Sequence, residues 1–151
     1  MEKPPYAEKV NYWQTSRVSS DSWITKAKVQ IEKVGGTILG EVFGSNSIAG
    51  TSAYMIAFQI GSDQFKLVWP VLESETGNHA AARIQAATML YHDVKAKCIA
   101  AKVHGTRKSF FPYLMLDSGQ VASDVGNPEL TLALESSFLL SSIIIEESEQ
   151  S

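Results

Sequence analysis

Apolar and polar positions divide the chain into stretches of two different periods. Trp23, Ile24, Ala27, Ile31 and Val34 recur at spacings that gather them on one face of a helix. Ser19, Ser20, Asp21 and Ser22 are N-cap candidates, because a side-chain oxygen there can accept from the unpaired N–H groups of a first turn. Gly35-Gly36 supplies a stop. These features predict a helix over about 22–34, with Lys26, Lys28, Glu32 and Lys33 mostly outward. The first ten residues carry no such pattern and read as frayed.

The period then falls to two, and three strands are predicted, at 37–43, 53–60 and 64–71. Tyr54, Ile56, Phe58 and Ile60 share one side of the second strand, and Phe65, Leu67 and Trp69 one side of the third. "GSD" between them is a tight hairpin signal, and Pro70 ends the third strand or places it at an edge. The connector 44–52 is flexible by composition, and 73–78 is polar. From Asn78, a second N-cap, an Ala-rich stretch predicts a long helix to about Val103, with Gly105 just beyond. Ile84, Ala87, Tyr91, Val94, Cys98 and Ala101 form the face expected to pack on the sheet. A further strand is predicted at 109–116 before the turn "DSGQ". Asn127-Pro128-Glu129 resembles a helix start, whereas "LTLAL" at 130–134 alternates as a strand does. The expected fold is α+β, in the order α-β-β-β-α-β, with a three-stranded antiparallel meander packed by two helices. The domain spans 1–123, and 124–151 forms an acidic C-terminal extension, a helix or strand followed by a loose tail.

Length and composition narrow the class. With 151 residues, 44% of them hydrophobic, the chain can bury a core without disulfides or metal. Cys98 is the only cysteine, which excludes an intramolecular disulfide and fits a reducing compartment. The N-terminus lacks the apolar core of a signal peptide. The apolar run at 138–145 is broken by Ser141 and Ser142 and is far shorter than the roughly 20 residues of a membrane span. A soluble cytoplasmic protein is expected.

Charge changes the picture more. Thirteen basic and nine acidic residues lie in 1–116, a balance of +4, while 117–151 hold seven acids and no Lys or Arg, a balance of −7. Such a split describes a basic body and an acidic tail; the tail aids solubility, or it competes with an anionic ligand.

Spacing limits the candidate chemistry. "YHDVKAKCIAAKVHGTRK" at 91–108 holds His92, Cys98 and His104, each six residues from the next. At about 100° per residue, neighbours in that trio diverge by roughly 120°, so one helix cannot converge them on a metal. His79 lies roughly 28 Å from Cys98 along the same helix, too far for a catalytic pair. Five residues separate Gly44 from Gly50 and Thr51 stands where a phosphate loop needs Lys, so no nucleotide cofactor is indicated. Glu73, Glu75 and Glu41, with Asp63 and Lys66, contain the residue types of a metal-dependent nuclease, although nothing in their spacing makes them converge. The basic signal is stronger. Within 80–108, Arg83, Lys95, Lys97, Lys102, Arg107 and Lys108 face one acid, Asp93. Cations are favoured at a helix C-terminus by the macrodipole, which accounts for part of this cluster. Several on one surface, with aromatic rings nearby, also suit phosphates and bases of a single strand. Tyr113, Phe110, Trp69 and Tyr54 are the available rings.

"YWQTSRV" (12–18), "IEKVGG" (31–36), "AYMIAFQI" (53–60), "WPV" (69–71), "AARIQAATMLYHDVKAK" (81–97) and "LMLDSGQ" (114–120) occur in an order that resembles a family of small conserved proteins met in phage, prophage and plasmid contexts. The resemblance covers about 12–120 and implies work around DNA replication, recombination or phage defence; it transfers no catalytic residue. The acidic C-terminus departs from it. The α-β-β-β-α order is also that of double-stranded RNA-binding domains, whose basic loop between strands is not seen here.

The expectation is a non-catalytic accessory of a mobile element that binds nucleic acid, single-stranded DNA in particular, through Arg83, Lys95, Lys102, Arg107 and Lys108. The alternatives are a protein-interaction module or homo-oligomer subunit that uses the apolar C-terminal segment "FLLSSIII", and a metal-dependent nuclease.

Overall fold

The computed structural model describes residues 3–46 and 51–124. Helix α1 (Ser20–Lys33) starts at Ser19, whose hydroxyl oxygen accepts from the Ser22 N–H at 3.2 Å. An N-cap of this kind is worth about 1 kcal/mol. Ile24, Ala27 and Ile31 are buried, and Trp23 and Val34 pack at the margin, which is the predicted face. Gly35 ends the helix in the left-handed region (φ 91°). Gly36 is needed for a different reason: a Cβ there would stand 2.5 Å from the Ile31 Cγ2.

Strands β1 (Thr37–Asn46), β2 (Thr51–Ile60) and β3 (Asp63–Val71) form an antiparallel meander in the order β1-β2-β3. Gly61, at φ 62°, opens the tight turn between Ile60 and Asp63. A bulge at Leu39 shifts the β1–β2 register between Ile38 and Gly40. Pro70 lies in β3, an outer strand of the sheet, one residue before its end. Tyr54, Ile56, Phe58, Ile60, Phe65 and Leu67 face the helices and are buried, as the alternation predicts.

Helix α2 (His79–His104) is capped by Asn78, whose Oδ1 accepts from the Ala81 N–H at 3.2 Å. It lies beside α1 and runs in the same direction: Trp23 meets Tyr91, and the Cys98 thiol meets the Gln30 carbonyl. Of the predicted face, Ala87, Val94 and Cys98 are buried, while Ile84, Tyr91 and Ala101 are half-buried. Ala82, Gln85, Ala86, Thr88 and Leu90 are buried as well. The helix is therefore covered on more than one side, because α1, the sheet and the N-terminal segment all lie against it.

That N-terminal segment corrects the expectation of a frayed start. Ala7, in a 3-10 turn (Ala7–Lys9), is fully buried, and its N–H donates to the Glu73 carbonyl at 2.8 Å. The buried amide of Gln85 donates to the carbonyls of Ala7, Val10 and Asn11 at 2.8, 3.1 and 3.0 Å. Glu8 fastens the segment to the connector before α2. Its carboxylate accepts from Ser74 Oγ at 2.6 Å, from the N–H groups of Glu75 and Thr76 at 2.9 and 3.1 Å, and from Thr76 Oγ1 at 2.8 Å. Local periodicity missed these anchors because they are polar and come from residues far along the chain.

The strand predicted at 109–116 is also corrected. The chain there forms α3 (Thr106–Ser109), then a 3-10 turn (Phe111–Tyr113), and contributes only the isolated bridges Phe65↔Leu114 and Met115↔Val121. Pro112 removes a donor, and the turn residues around it divert the backbone from a ladder. The predicted features at 127–129, 130–134 and 138–145 lie outside the described residues. No helix among the described residues is long and apolar enough to cross a membrane.

The Glu8 contacts predict an acid response. Desolvation opposes ionisation, but hydrogen bonds from Ser74, Glu75 and Thr76 outweigh it and bring the carboxyl down from 4.5 to about 2. A depressed folded-state value stabilises above the unfolded one and loses that contribution as pH falls. Glu8→Gln is expected to lower the denaturation midpoint at neutral pH, and its deficit should shrink between pH 4.5 and about 2. Urea titrations across that range measure the convergence.

Candidate nucleic-acid interface

The residues after α2 shape its C-terminal end. Gly105, at φ 88°, breaks the helix, and its N–H closes the last turn on the Ala101 carbonyl at 2.8 Å. The short α3 folds back, and the Ser109 hydroxyl donates to the Lys97 carbonyl. Phe110 then enters the core. It is fully buried, edge-on to Phe58 at 5.4 Å and tilted to Phe65 at 5.8 Å. Tyr113 secures the far side by donating to Asp93 Oδ2 at 2.5 Å. Burial, reinforced by the Asp93 hydrogen bond and charge, holds the Tyr113 phenol above its ordinary range. Asp93 is also paired with Lys97 at 2.9 Å, so Lys97 is committed to this cluster.

With Phe110 inward and Pro112 fixing the turn, Phe111 points out and is 52% exposed. Its ring borders a depression of about 640 Å³ lined also by His104, Gly105, Thr106, Arg107 and Lys108. Lys102 and Lys108 are exposed and have no ion-pair partner among the described residues. Arg107, largely exposed, approaches Asp63 at 3.8 Å, an arrangement worth little in water. Lys95 is exposed two turns before Lys102, about 10 Å away along the axis. Cations and an outward aromatic thus share one end of the molecule.

Arg83 does not join them. It sits nineteen residues before Lys102 on the same helix, about 28 Å away. Its guanidinium lies 3.9 Å from the Phe43 ring centroid, and its Nε–H donates to the Tyr54 hydroxyl at 2.7 Å. These contacts tie α2 to β1 and β2.

Phe111 was not among the rings anticipated from sequence. Phe110 was, yet it is core, as is Tyr54, and Tyr113 is half-buried. A second hollow of about 450 Å³, between the β2–β3 turn and 114–119, carries Asp63 and Asp117 beside Arg107 and is less suited to phosphate.

The remaining candidates stay apart. His92 is exposed and stacks on Tyr12 at 5.0 Å, Cys98 is buried with its thiol on the Gln30 carbonyl at 3.4 Å, and His104 is exposed. Burial raises the Cys98 thiol, with Lys102 opposing, so thiolate is disfavoured. Glu41 pairs with Lys28 at 2.7 Å on the helix side of the sheet, whereas Lys66 lies on the other side. Among the described residues no three His, Cys, Asp or Glu side chains gather as a metal site.

The two adjacent phenylalanines are expected to behave oppositely. Phe110→Ala should cost about 3–5 kcal/mol in chemical denaturation through the cavity it leaves, and Phe111→Ala within about 0.5 kcal/mol of zero, as for a surface change. No protein-family model matches this chain, and neither does a curated protein or a solved structure.

Proposed function

We propose that this protein is a non-catalytic nucleic-acid-binding accessory, of the kind mobile elements encode, that works in the cytoplasm and takes single-stranded DNA across the C-terminal end of α2. The observation that carries the reading is the exposed Phe111 ring on the hollow that Arg107 and Lys108 also line, with Lys102 exposed on the last turn of α2. A single strand offers both phosphates for the cations and unstacked bases for the ring. A duplex keeps its bases stacked and would leave Phe111 unused. Lys95 extends the cationic track along α2.

Fluorescence anisotropy with a labelled oligonucleotide tests this. Binding is expected at low salt, with log affinity falling as log salt rises. Replacing Lys102, Arg107 and Lys108 with Ala should flatten that slope by about 2, from roughly 0.7 per lost phosphate contact on a single strand. Phe111→Ala should lose about 1–3 kcal/mol of affinity, while Arg83→Ala, in a chain that stays folded, should retain binding. No binding at low salt, or full binding by the triple variant, refutes the proposal.

A second reading has its own support. Ile99 and Val103, one turn apart on α2, are 57% and 78% exposed. An apolar pair beside the cationic group suits a protein partner or a second copy of this chain. On that reading the native chain associates in light scattering and Ile99→Asp/Val103→Asp is monomeric; a native monomer throughout the concentration range removes the self-association form of it.

A further inference from the structure

α1 and α2 pack side by side in the same direction, and the solvent side of the seam between them is cationic. Two contacts set the register. Trp23 meets Tyr91, and the Gln30 carbonyl meets the Cys98 thiol, both pairs 68 positions apart. Lys26 and Lys33 follow Trp23 and Gln30 by three residues, and Lys95 and Lys102 follow Tyr91 and Cys98 by four. At about 100° per residue, each lysine stands roughly 40–60° round from the contact, on the side away from the buried Ile24, Ile31 and Val94. Lys26 is therefore opposite Lys95 across the seam, and about 10 Å further along Lys33 is opposite Lys102. All four are exposed. Ion pairing singles them out. Elsewhere on the same helices Lys28 is bound to Glu41 and Lys97 to Asp93, whereas the seam lysines have no ion-pair partner among the described residues. The other acids of the two helices, Asp21 and Glu32, lie roughly 100–140° round α1 from Lys26 and Lys33. Packed helices stand about 8–10 Å apart, and the screening length at physiological salt is about 8 Å. The two lysine rungs thus repel across the seam, and a polyanion laid along it relieves that repulsion.

Aromatic rings close the end of the seam away from Phe111. The Tyr12 ring stacks on His92 with centroids 5.0 Å apart and planes at 14°, and His92 in turn lies 5.8 Å from the Trp23 ring. The Lys26 ammonium stands 4.8 Å from the same Trp23 ring, which joins the aromatic group to the first lysine rung. Tyr12 is 37% exposed. Its backbone is held at φ 71° and that of Gln14 at φ 54°, a left-handed conformation that is costly for residues with a Cβ. Backbone strain of this kind collects at binding sites, where the surrounding structure holds it. We propose that the single strand continues from the Phe111 hollow along this seam, its phosphates on the lysine rungs and one of its bases on the outer face of Tyr12. The inference rests on the single-strand reading and extends its site onto α1. His92 and His104 are about 18 Å apart along α2, so the two stacking rings mark the ends of a track that several nucleotides span. An acidic peptide would match the lysines but has no base to offer Tyr12.

Length separates the track from the hollow alone. Anisotropy on the full chain, with labelled oligothymidines of about four and about twelve nucleotides, covers the usual span of single-strand sites. The longer is expected to bind more tightly and with the steeper salt dependence. Lys26→Ala/Lys33→Ala should flatten its slope of log affinity against log salt by about 1.4, from roughly 0.7 per lost contact, and erase most of its advantage over the shorter. Tyr12→Leu should weaken the longer on the order of tenfold, while Tyr12→Phe keeps the stacking face and retains binding. Both lysines are exposed and unpaired among the described residues, so their replacement leaves the fold intact even if a Tyr12 variant does not. No binding at either length removes this proposal together with the single-strand reading. Undiminished binding of the longer oligonucleotide by the double lysine variant overturns the track alone and leaves the Phe111 site standing. An oligoglutamate of equal charge that binds as tightly as that oligonucleotide, and is lost in the same variant, also overturns it and assigns the seam to an acidic protein.

Discussion

The packing of Phe110 against Phe58 and Phe65 is the constraint on which the end of the molecule that carries Phe111 depends. The three rings join the chain after α2 to the centre of the sheet. Each such aromatic contact adds about 0.5–1.5 kcal/mol beyond the area it buries. Once Phe110 is committed to the core, the backbone has little choice about its neighbours. Ser109 turns back to the Lys97 carbonyl, Tyr113 reaches Asp93, and Phe111 is left in water between two elements that hold cations. The exposed ring is therefore a rigid consequence of the interior and needs no contact of its own to stay in place.

The same logic separates the basic residues into two groups that a count of charges merges. Arg83 and Lys97 are part of the framework: one over Phe43 and against the Tyr54 hydroxyl, the other paired with Asp93. Lys95, Lys102 and Lys108 have no ion-pair partner among the described residues, and Arg107 has only a long, solvated one. Charge already paired inside a fold attracts a polyanion weakly, whereas unpaired charge at one end creates a field that does.

Much of the fold was legible in the sequence because its main elements are held by apolar residues at regular spacing. The N-caps Ser19 and Asn78, the stop at Gly35-Gly36 and the alternation of 53–60 all correspond to local physics, and local physics leaves a local trace. Two regions escaped. Residues 3–14 are held by Glu8 and Gln85, polar groups whose partners lie 66 to 78 residues away, and no period records that. At 109–116 a run of apolar residues suggested a strand, but Pro112 and the demand for Phe110 in the core broke it into turns. The candidate site shared this fate. Its lysines were visible as composition, but which of two adjacent phenylalanines faces water is decided by tertiary packing, and Arg83 entered the list on charge alone.

The long-range clamp on the N-terminal segment also bears on the order in which the chain acquires its structure. α1 and the β2–β3 hairpin each close over short stretches and can form as soon as they are made. Residues 7–11 make only the short bonds of their own turn, Lys9 N–H to Tyr6 and Val10 N–H to Ala7; their other bonds are to Glu73–Thr76 and Gln85, which are synthesised much later. Closing a loop of that length costs chain entropy before any of the bonds is gained. Residues 7–11 thus depend on a stretch more than sixty positions further on, and before Gln85 is in place the carbonyls of Val10 and Asn11 lack the donor they have in the fold.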